Sequence, residues 1–143
     1  MINELVVDNS VWMKLVSSEN EIGADISLVV YEKMRQGEIL VRCPKFWLLE
    51  ASNILSLRKK LSMNEVSLWI RKMISAGLML EDLSEEEIPD LLRLRQRYNL
   101  SVYDAYYLLL AKKYKCKLLT ADKQLLKVKK YSISLTDFER LIK

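Results

Sequence analysis

Short apolar runs without polar interruption alternate along this chain with longer stretches in which apolar residues recur every three or four positions. The first kind predicts strands buried on both faces, the second amphipathic helices. ELVVD, ending at Asp8, predicts the first strand. A short helix and a longer one, DISLVVYEKMRQG, follow, and then strand-like EILVRC up to Pro44. FWLLEASNILSLRKK and NEVSLWIRKMIS predict two helices with Leu61 and Ser62 between them. Ser62 is a good N-cap for the second, and Gly77 closes it.

LMLEDL predicts the third strand. Ser84 followed by Glu85, Glu86 and Glu87 is a helix start, a hydroxyl cap with acids on the positive end of the dipole, and that helix runs through IPDLLRLRQRY. Ser101 caps VYDAYYLLLAKKY, which leads to strand KLLT, a short helix from Asp122, strand SISL and a terminal DFERLIK. Strands alternating with helices predict an α/β fold whose central parallel sheet, of about five strands, is covered on both faces. Ligands of such sheets bind outside the carboxyl ends of the strands, where strand order reverses. Asp8 and Asp122 lie at strand ends, and they share one crevice if the first and fourth strands are neighbours there.

Composition narrows the chemistry. A length of 143 residues fits one domain, 1–143, and only 3 Gly and 2 Pro leave no room for a linker. The start, MINELVVDNS, reaches a charged residue at once, and no run approaches a membrane span, so a cytoplasmic protein is expected. Cys43 and Cys116 are far apart and follow neither metal-ligand nor disulfide spacing, which predicts reduced thiols. With no histidine at all, Ser–His and Cys–His nucleophile pairs, His-containing zinc sites and histidine acid–base catalysis are excluded. The net charge of +4 tolerates a polyanionic partner without demanding one.

Any chemistry must therefore use carboxylates, hydroxyls, Lys or Arg, and among these the carboxylates stand out. Glu50 has Phe46, Trp47, Ile54 and Leu57 at helical neighbour spacings, with Asn53 the only polar member of that face. Asp104 shares a face with Tyr107, Leu108 and Ala111, and with Ser101 one turn earlier. Each acid alone has a structural explanation: Asp104 in a first helical turn, Asp122 at a helix start, Asp8 in a turn. As a set, two from strand ends and two from apolar helix faces, they are less accidental. Carboxylates gathered so closely repel and hold protons unless a divalent cation supplies the opposite charge. Magnesium or manganese suits an all-oxygen set.

In VVDNSVWMKL, FWLLEASNIL, LSVYDAYYLLLAKKY, LLTAD and ISLTDFERL, taken in order, the chain resembles the PIN-domain ribonucleases, and in particular the small VapC-type toxins of toxin–antitoxin pairs. The resemblance implies a PIN-like three-layer α/β/α sandwich and a metal-dependent endoribonuclease. It places the acidic cluster on Asp8, Glu50, Asp104 and Asp122. Asp8, Asp104 and Asp122 would chiefly bind Mg2+ or Mn2+, while Glu50 either completes the metal shell or orients the attacking water. Ser10 matches the hydroxyl after the first acid and Thr120 the Thr of the threonine-x-aspartate turn. Asn53 sits where the family often has Asn, in a functional role or as a satisfied core amide. One departure is Lys115, where the family often has Gly; a left-handed helix terminus there carries strain.

The resemblance also implies an RNA substrate, a homodimer and a cognate antitoxin docked on helices 21–36 and 46–75. Arg58-Lys59-Lys60, Arg71-Lys72, Arg93-Arg95-Arg97, Lys112-Lys113-Lys115-Lys117 and Lys127-Lys129-Lys130 are mostly solvated helix faces. The last two, nearest in sequence to Asp104 and Asp122, are the favoured RNA contacts. Tyr103, Tyr106 and Tyr107 could stack on bases or belong to the core or a dimer contact. Trp12, Trp47 and Trp69 read as core first. Two other functions compete. A catalytically silent PIN-like module would bind RNA or protein without cutting, and a phosphoacceptor domain would need an acid pair after the first strand, where only Asp8 stands.

Overall fold

The computed structural model describes residues 2–16 and 21–143. Five parallel strands form the centre: β1 (Glu4–Val7), β2 (Leu40–Pro44), β3 (Met79–Glu81), β4 (Lys117–Leu119) and β5 (Ser132–Ile133). Their order is β3-β2-β1-β4-β5. The chain works outward from β1 to β3, then returns to the other side of β1 for β4 and β5. The reversal falls between β1 and β4, where Val7 pairs with Leu119.

Helices flank this sheet on both faces in the three-layer α/β/α arrangement of the PIN fold: α1 (Asn9–Trp12), α2 (Ala24–Arg35), α3 (Trp47–Asn53), α4 (Met63–Ser75), α5 (Ile88–Tyr98), α6 (Val102–Lys113), α7 (Lys123–Leu126) and α8 (Leu135–Ile142). Leu5, Val6 and Val7 are fully buried, as are Leu118 and Leu119, which explains why these strands read as unbroken apolar runs. Every side chain from Ala105 to Ala111 is buried, so α6 is a central helix, lying against β1, β2 and β4 with α5 outside it. Trp12 and Trp47 are fully buried, whereas Trp69 is half-buried and packs its ring 6.0 Å from Trp47. Among the described residues, no helix is long and apolar enough to cross a membrane.

The expected caps form. Ser62 accepts from Glu65 N, and Ser101 from Asp104 N. Gly77, at φ +114°, ends α4 in a conformation that L side chains rarely adopt. Lys115 is left-handed as well, at φ +53°, between α6 and β4. Cys43 and Cys116 are both free thiols.

The stretch 46–60 departs from the single helix expected of it. After Asn53 the backbone widens into a π-helical segment, Ile54–Arg58, in which Lys59 N donates to Ile54 O at 3.0 Å. Ser52 and Ser56 hydroxyls bond back to the carbonyls of Leu48 and Ser52, both at 2.6 Å, a competition that loosens α-helical geometry. The wider turn rotates later side chains off the face that carries Glu50. Leu57 is accordingly 67% exposed rather than a member of that face.

Candidate active site

β1 and β4 end side by side, and two hydroxyls fasten them. Asp8 caps α1: its Oδ1 accepts from Ser10 N at 3.0 Å and from the Ser10 hydroxyl. Its Oδ2 accepts from the Thr120 hydroxyl at 2.6 Å. Thr120 Oγ1 also accepts from Asp122 N at 3.0 Å, and Ser10 Oγ accepts from Ala121 N at 2.8 Å. Ser10 and Thr120 thus hold both acid-bearing loops in register. Asp8 itself is only 6% exposed. Burial pushes its pKa up to about 6, against the opposing pull of the Ser10 and Thr120 bonds, and the Asp122 charge adds to the rise.

Asp122 is the N-cap of α7, with Oδ1 accepting from Gln124 N at 2.8 Å and Leu125 N at 3.1 Å. Its Oδ2 makes no hydrogen bond among the described residues. Asp104 stands in the first turn of α6, half-buried, and its pKa is raised by burial and then by Asp122. Glu50 projects from α3 toward α6, where Tyr107 donates its hydroxyl to Oε1 at 2.8 Å. Burial raises the Glu50 pKa, the Tyr107 bond lowers it, and Asp104 raises it again. Electrostatic contact therefore runs from Asp8 to Asp122, on to Asp104 and from there to Glu50. Among the described residues no Lys or Arg lies within 4.0 Å of any of the four.

Sequence reasoning grouped Tyr107 with Asp104 on one face of α6, which the structure agrees with, but not as the donor to Glu50. The spacing of three residues was the available signal; the partner on α3 was invisible because only the tertiary packing of α3 on α6 supplies it. Phe46 is the other unforeseen part. Its ring lies edge-on to Tyr107 at 5.8 Å and to Tyr103 at 5.3 Å, so it braces α3 against the helix that carries Asp104.

Two expectations are corrected. Asn53 is exposed rather than a core amide: it closes α3 on the side of that helix turned to solvent. The lysines of 112–117 and Lys130 lie at the other end of the sheet from the acids. α6 carries Asp104 in its first turn and Lys113 in its last, about 14 Å further along the axis. Lys117 opens β4 and donates to Lys130 O at 2.7 Å, which puts Lys130 at that end as well. Nearness in sequence was the wrong guide, since a helix and a strand each carry the chain across the whole layer.

The donor set suits a hard divalent cation. It is all oxygen, part of it lacks hydrogen bonds, and three of its members have raised pKa values that a bound cation would reverse. No three acid or thiol groups among the described residues stand close enough to form a ready-made cage. An ion here would therefore keep several of its own waters between itself and the carboxylates, as magnesium prefers.

Comparison with known proteins agrees with this fold. The family described as "PIN domain" matches residues 5–131, a stretch that contains all four acids. No curated protein sequence matches the chain. Among solved structures, the crystal structure of PAE2754 from Pyrobaculum aerophilum is similar with a TM-score of 0.63 at 23% identity. The match covers 99% of this chain and 98% of that one, and at this identity it speaks for the fold.

Proposed function

This chain belongs to the PIN-domain family, and from that premise we propose that it is a metal-dependent endoribonuclease hydrolysing RNA phosphodiester bonds, the VapC-type toxin of a type II toxin–antitoxin pair. The observation that carries the reading is the convergence of Asp8, Glu50, Asp104 and Asp122 at the strand-order reversal, with no basic partner within 4.0 Å among the described residues and three of the four pushed toward protonation. A fold stabilised only for its own sake has no use for such repulsion.

Asp8, Asp104 and Asp122 would hold Mg2+ or Mn2+. When bound, that ion polarises the phosphate and makes water a better nucleophile at neutral pH. Ser10 and Thr120 fix the Asp8 carboxylate, and Thr120 also sets the loop that presents Asp122. Glu50 keeps Oε1 on Tyr107, which leaves Oε2 to orient water or take its proton, and a raised pKa suits a general base working near neutrality.

The antitoxin part of the reading is supported by the surface of α2 and α4. Leu28 and Leu68 are 51% and 63% exposed there, and Leu15, Tyr31, Trp69 and Met73 line a pocket of about 230 Å³ between these helices. An apolar segment of a partner fits such a surface. A homodimer is part of the same proposal.

The absence of a ready-made cage among the described residues favours the second reading, a silent PIN-like module that binds RNA or protein. One experiment separates them. Purified protein and its Asp104→Asn variant are incubated with a mixed RNA pool in Mg2+, in Mn2+ and in chelator. Cleavage that needs the cation and is lost in the variant supports the ribonuclease; RNA retention without cleavage in every lane supports the silent module.

A further inference from the structure

Beside the acids lies a second pocket, of about 330 Å³, walled by Phe46, Leu91, Tyr103 and Tyr106 and rimmed by Lys45, Glu81 and Asp82, with Lys45 Nζ 3.5 Å from Asp82 Oδ2. Tyr103 directly precedes Asp104, and Phe46 touches the ring of Tyr107, which holds Glu50. The pocket therefore opens next to the place where a phosphodiester would meet the carboxylates. Tyr103 is 59% exposed, and its ring stands edge-on to Phe46.

The hydroxyl of Tyr106 makes this more than an apolar dimple. Tyr106 is 4% exposed, and its Oη is buried with no hydrogen-bond partner among the described residues. The charges that bear on it are Glu87, Glu81 and Asp82, which places it toward the acidic rim. A buried phenol is ordinarily paired, and leaving one unpaired costs free energy unless something that binds there completes it.

Resting on the ribonuclease reading above, we propose that this pocket is a base-specificity subsite, which takes one unstacked nucleobase of the RNA adjoining the scissile phosphate. Tyr103 and Phe46 supply aromatic surface for stacking, and single-stranded RNA is read largely by bases splayed onto such surfaces. Carboxylates accept hydrogen bonds and cannot donate them when ionised. Lys45 is engaged by Asp82 Oδ2, and Glu81 Oε1 by Arg42 and Tyr114, which leaves Glu81 Oε2 and Asp82 Oδ1 as the rim's unpaired acceptors among the described residues. With Tyr106 Oη able to donate or accept, the pocket favours a base with an exocyclic amino group (adenine, cytosine or guanine) over uracil.

The test uses 5′-fluorescein hexaribonucleotides of polyuridine with A, C, G or U at each position in turn. Binding is read by anisotropy in chelator, and cleavage of the same set is read in Mg2+ and Mn2+. Wild type should bind uracil at one position at least about ten-fold more weakly than the amino-bearing bases. Tyr106→Phe, which removes only the hydroxyl, should narrow that discrimination to within about two-fold. Tyr103→Ala should weaken binding of every oligonucleotide by roughly ten-fold, the worth of one lost stacking surface. Base preferences unchanged in Tyr106→Phe would overturn the subsite, and with cleavage intact they would leave the ribonuclease reading standing. Base-selective binding by wild type with no cleavage in either metal would sink the ribonuclease reading and keep the pocket as a base-binding site. If Tyr103→Ala changes the mass measured by light scattering and leaves binding unchanged, a second copy of the chain covers the pocket and the proposal fails.

Discussion

Two groups of helix starts in this protein share one pattern, a serine followed three residues later by an acid, and the acids in them behave in opposite ways. At Ser62 and Ser84 the acid turns back on its cap. Glu65 Oε1 accepts from Ser62 N at 3.0 Å, and Glu87 Oε1 accepts from Ser84 N and Oγ, both at 3.0 Å. Those bonds lower the Glu65 pKa, and at Glu87, with help from Lys113, they outweigh a burial that pushes the other way. At Ser101 the hydroxyl caps Asp104 N just as well, at 3.1 Å, yet the Asp104 carboxylate makes no return bond and points into the crevice. Burial and Asp122 raise its pKa. The backbone half of a capping box is decided locally; the fate of the acid is decided by what lies opposite the helix. The Asp137 carboxylate, three residues after the Ser134 cap, likewise makes no return bond but meets Arg140 at 3.4 Å; Asp104 differs in having no cation within 4.0 Å among the described residues.

Substitutions that separate the two groups should differ most in turnover. Asp104→Asn should abolish metal-dependent RNA cleavage, and Glu50→Gln should lower kcat by about 10²-fold or more, as loss of a general base does. Neither should lower the melting temperature measured in chelator. Equal cleavage by purified Asp104→Asn and wild type would remove the distinction between the two kinds of acid.

The next largest effect is on stability against pH. The Asp8 pKa lies above that of an unfolded Asp, so the folded chain binds more protons than the unfolded one between about pH 4 and pH 6. Stability from this group is complete below the unfolded value and is lost as pH rises through about 6, a difference of about 3 kcal/mol for a shift from 3.8 to about 6. Urea unfolding in chelator should show the loss between pH 4.5 and 7, Asp8→Asn should flatten it, and Mg2+ should restore stability at pH 7. Glu65 and Glu87 carry the opposite sign, their contribution appearing above the ordinary glutamate pKa.

Removing the caps themselves gives a smaller change. Ser62→Ala should cost about 1 kcal/mol of unfolding free energy and leave cleavage unchanged, while Ser101→Ala should cost about the same and also slow cleavage by loosening Asp104. A Ser101→Ala enzyme with full activity would show that α6 holds Asp104 without its cap. Smallest is Lys115→Gly, which relieves a left-handed residue at the price of a more flexible unfolded chain; a gain of about 0.5 kcal/mol is expected by urea titration.

The alternation of strands and helices was legible because Leu5, Val6 and Val7 of β1 and Leu118 and Leu119 of β4 are buried on both faces and so form unbroken apolar runs behind a single charged first residue. Ser62, Ser84 and Ser101 were legible because capping involves residues only three apart. The crevice could be inferred up to a condition, that β1 and β4 be neighbours, and the sheet order meets it. Tyr107 facing Glu50 was not legible, since it joins residues 57 apart through the packing of two helices. Leu57 was misjudged for a different reason. A π turn leaves no clear trace in hydrophobic spacing, and every face assignment beyond it rotates. The lysines near β4 were misjudged because distance along a chain says little about which end of a layer a residue reaches.

The Thr120 to Asp8 hydrogen bond spans 112 positions of sequence. Contacts of such separation carry the largest loop-closure entropy and form slowly relative to local ones. During synthesis, α3 and α6 can present Glu50 and Asp104 early, but Asp8 has neither its Thr120 partner nor its Asp122 neighbour until the fourth strand has emerged and paired beside the first. A nascent chain that stops short of residue 120 carries three of the four acids and no clasp to align them. Assembly of the site is thus tied to the emergence of β4, and the clasp closes in one step rather than by degrees.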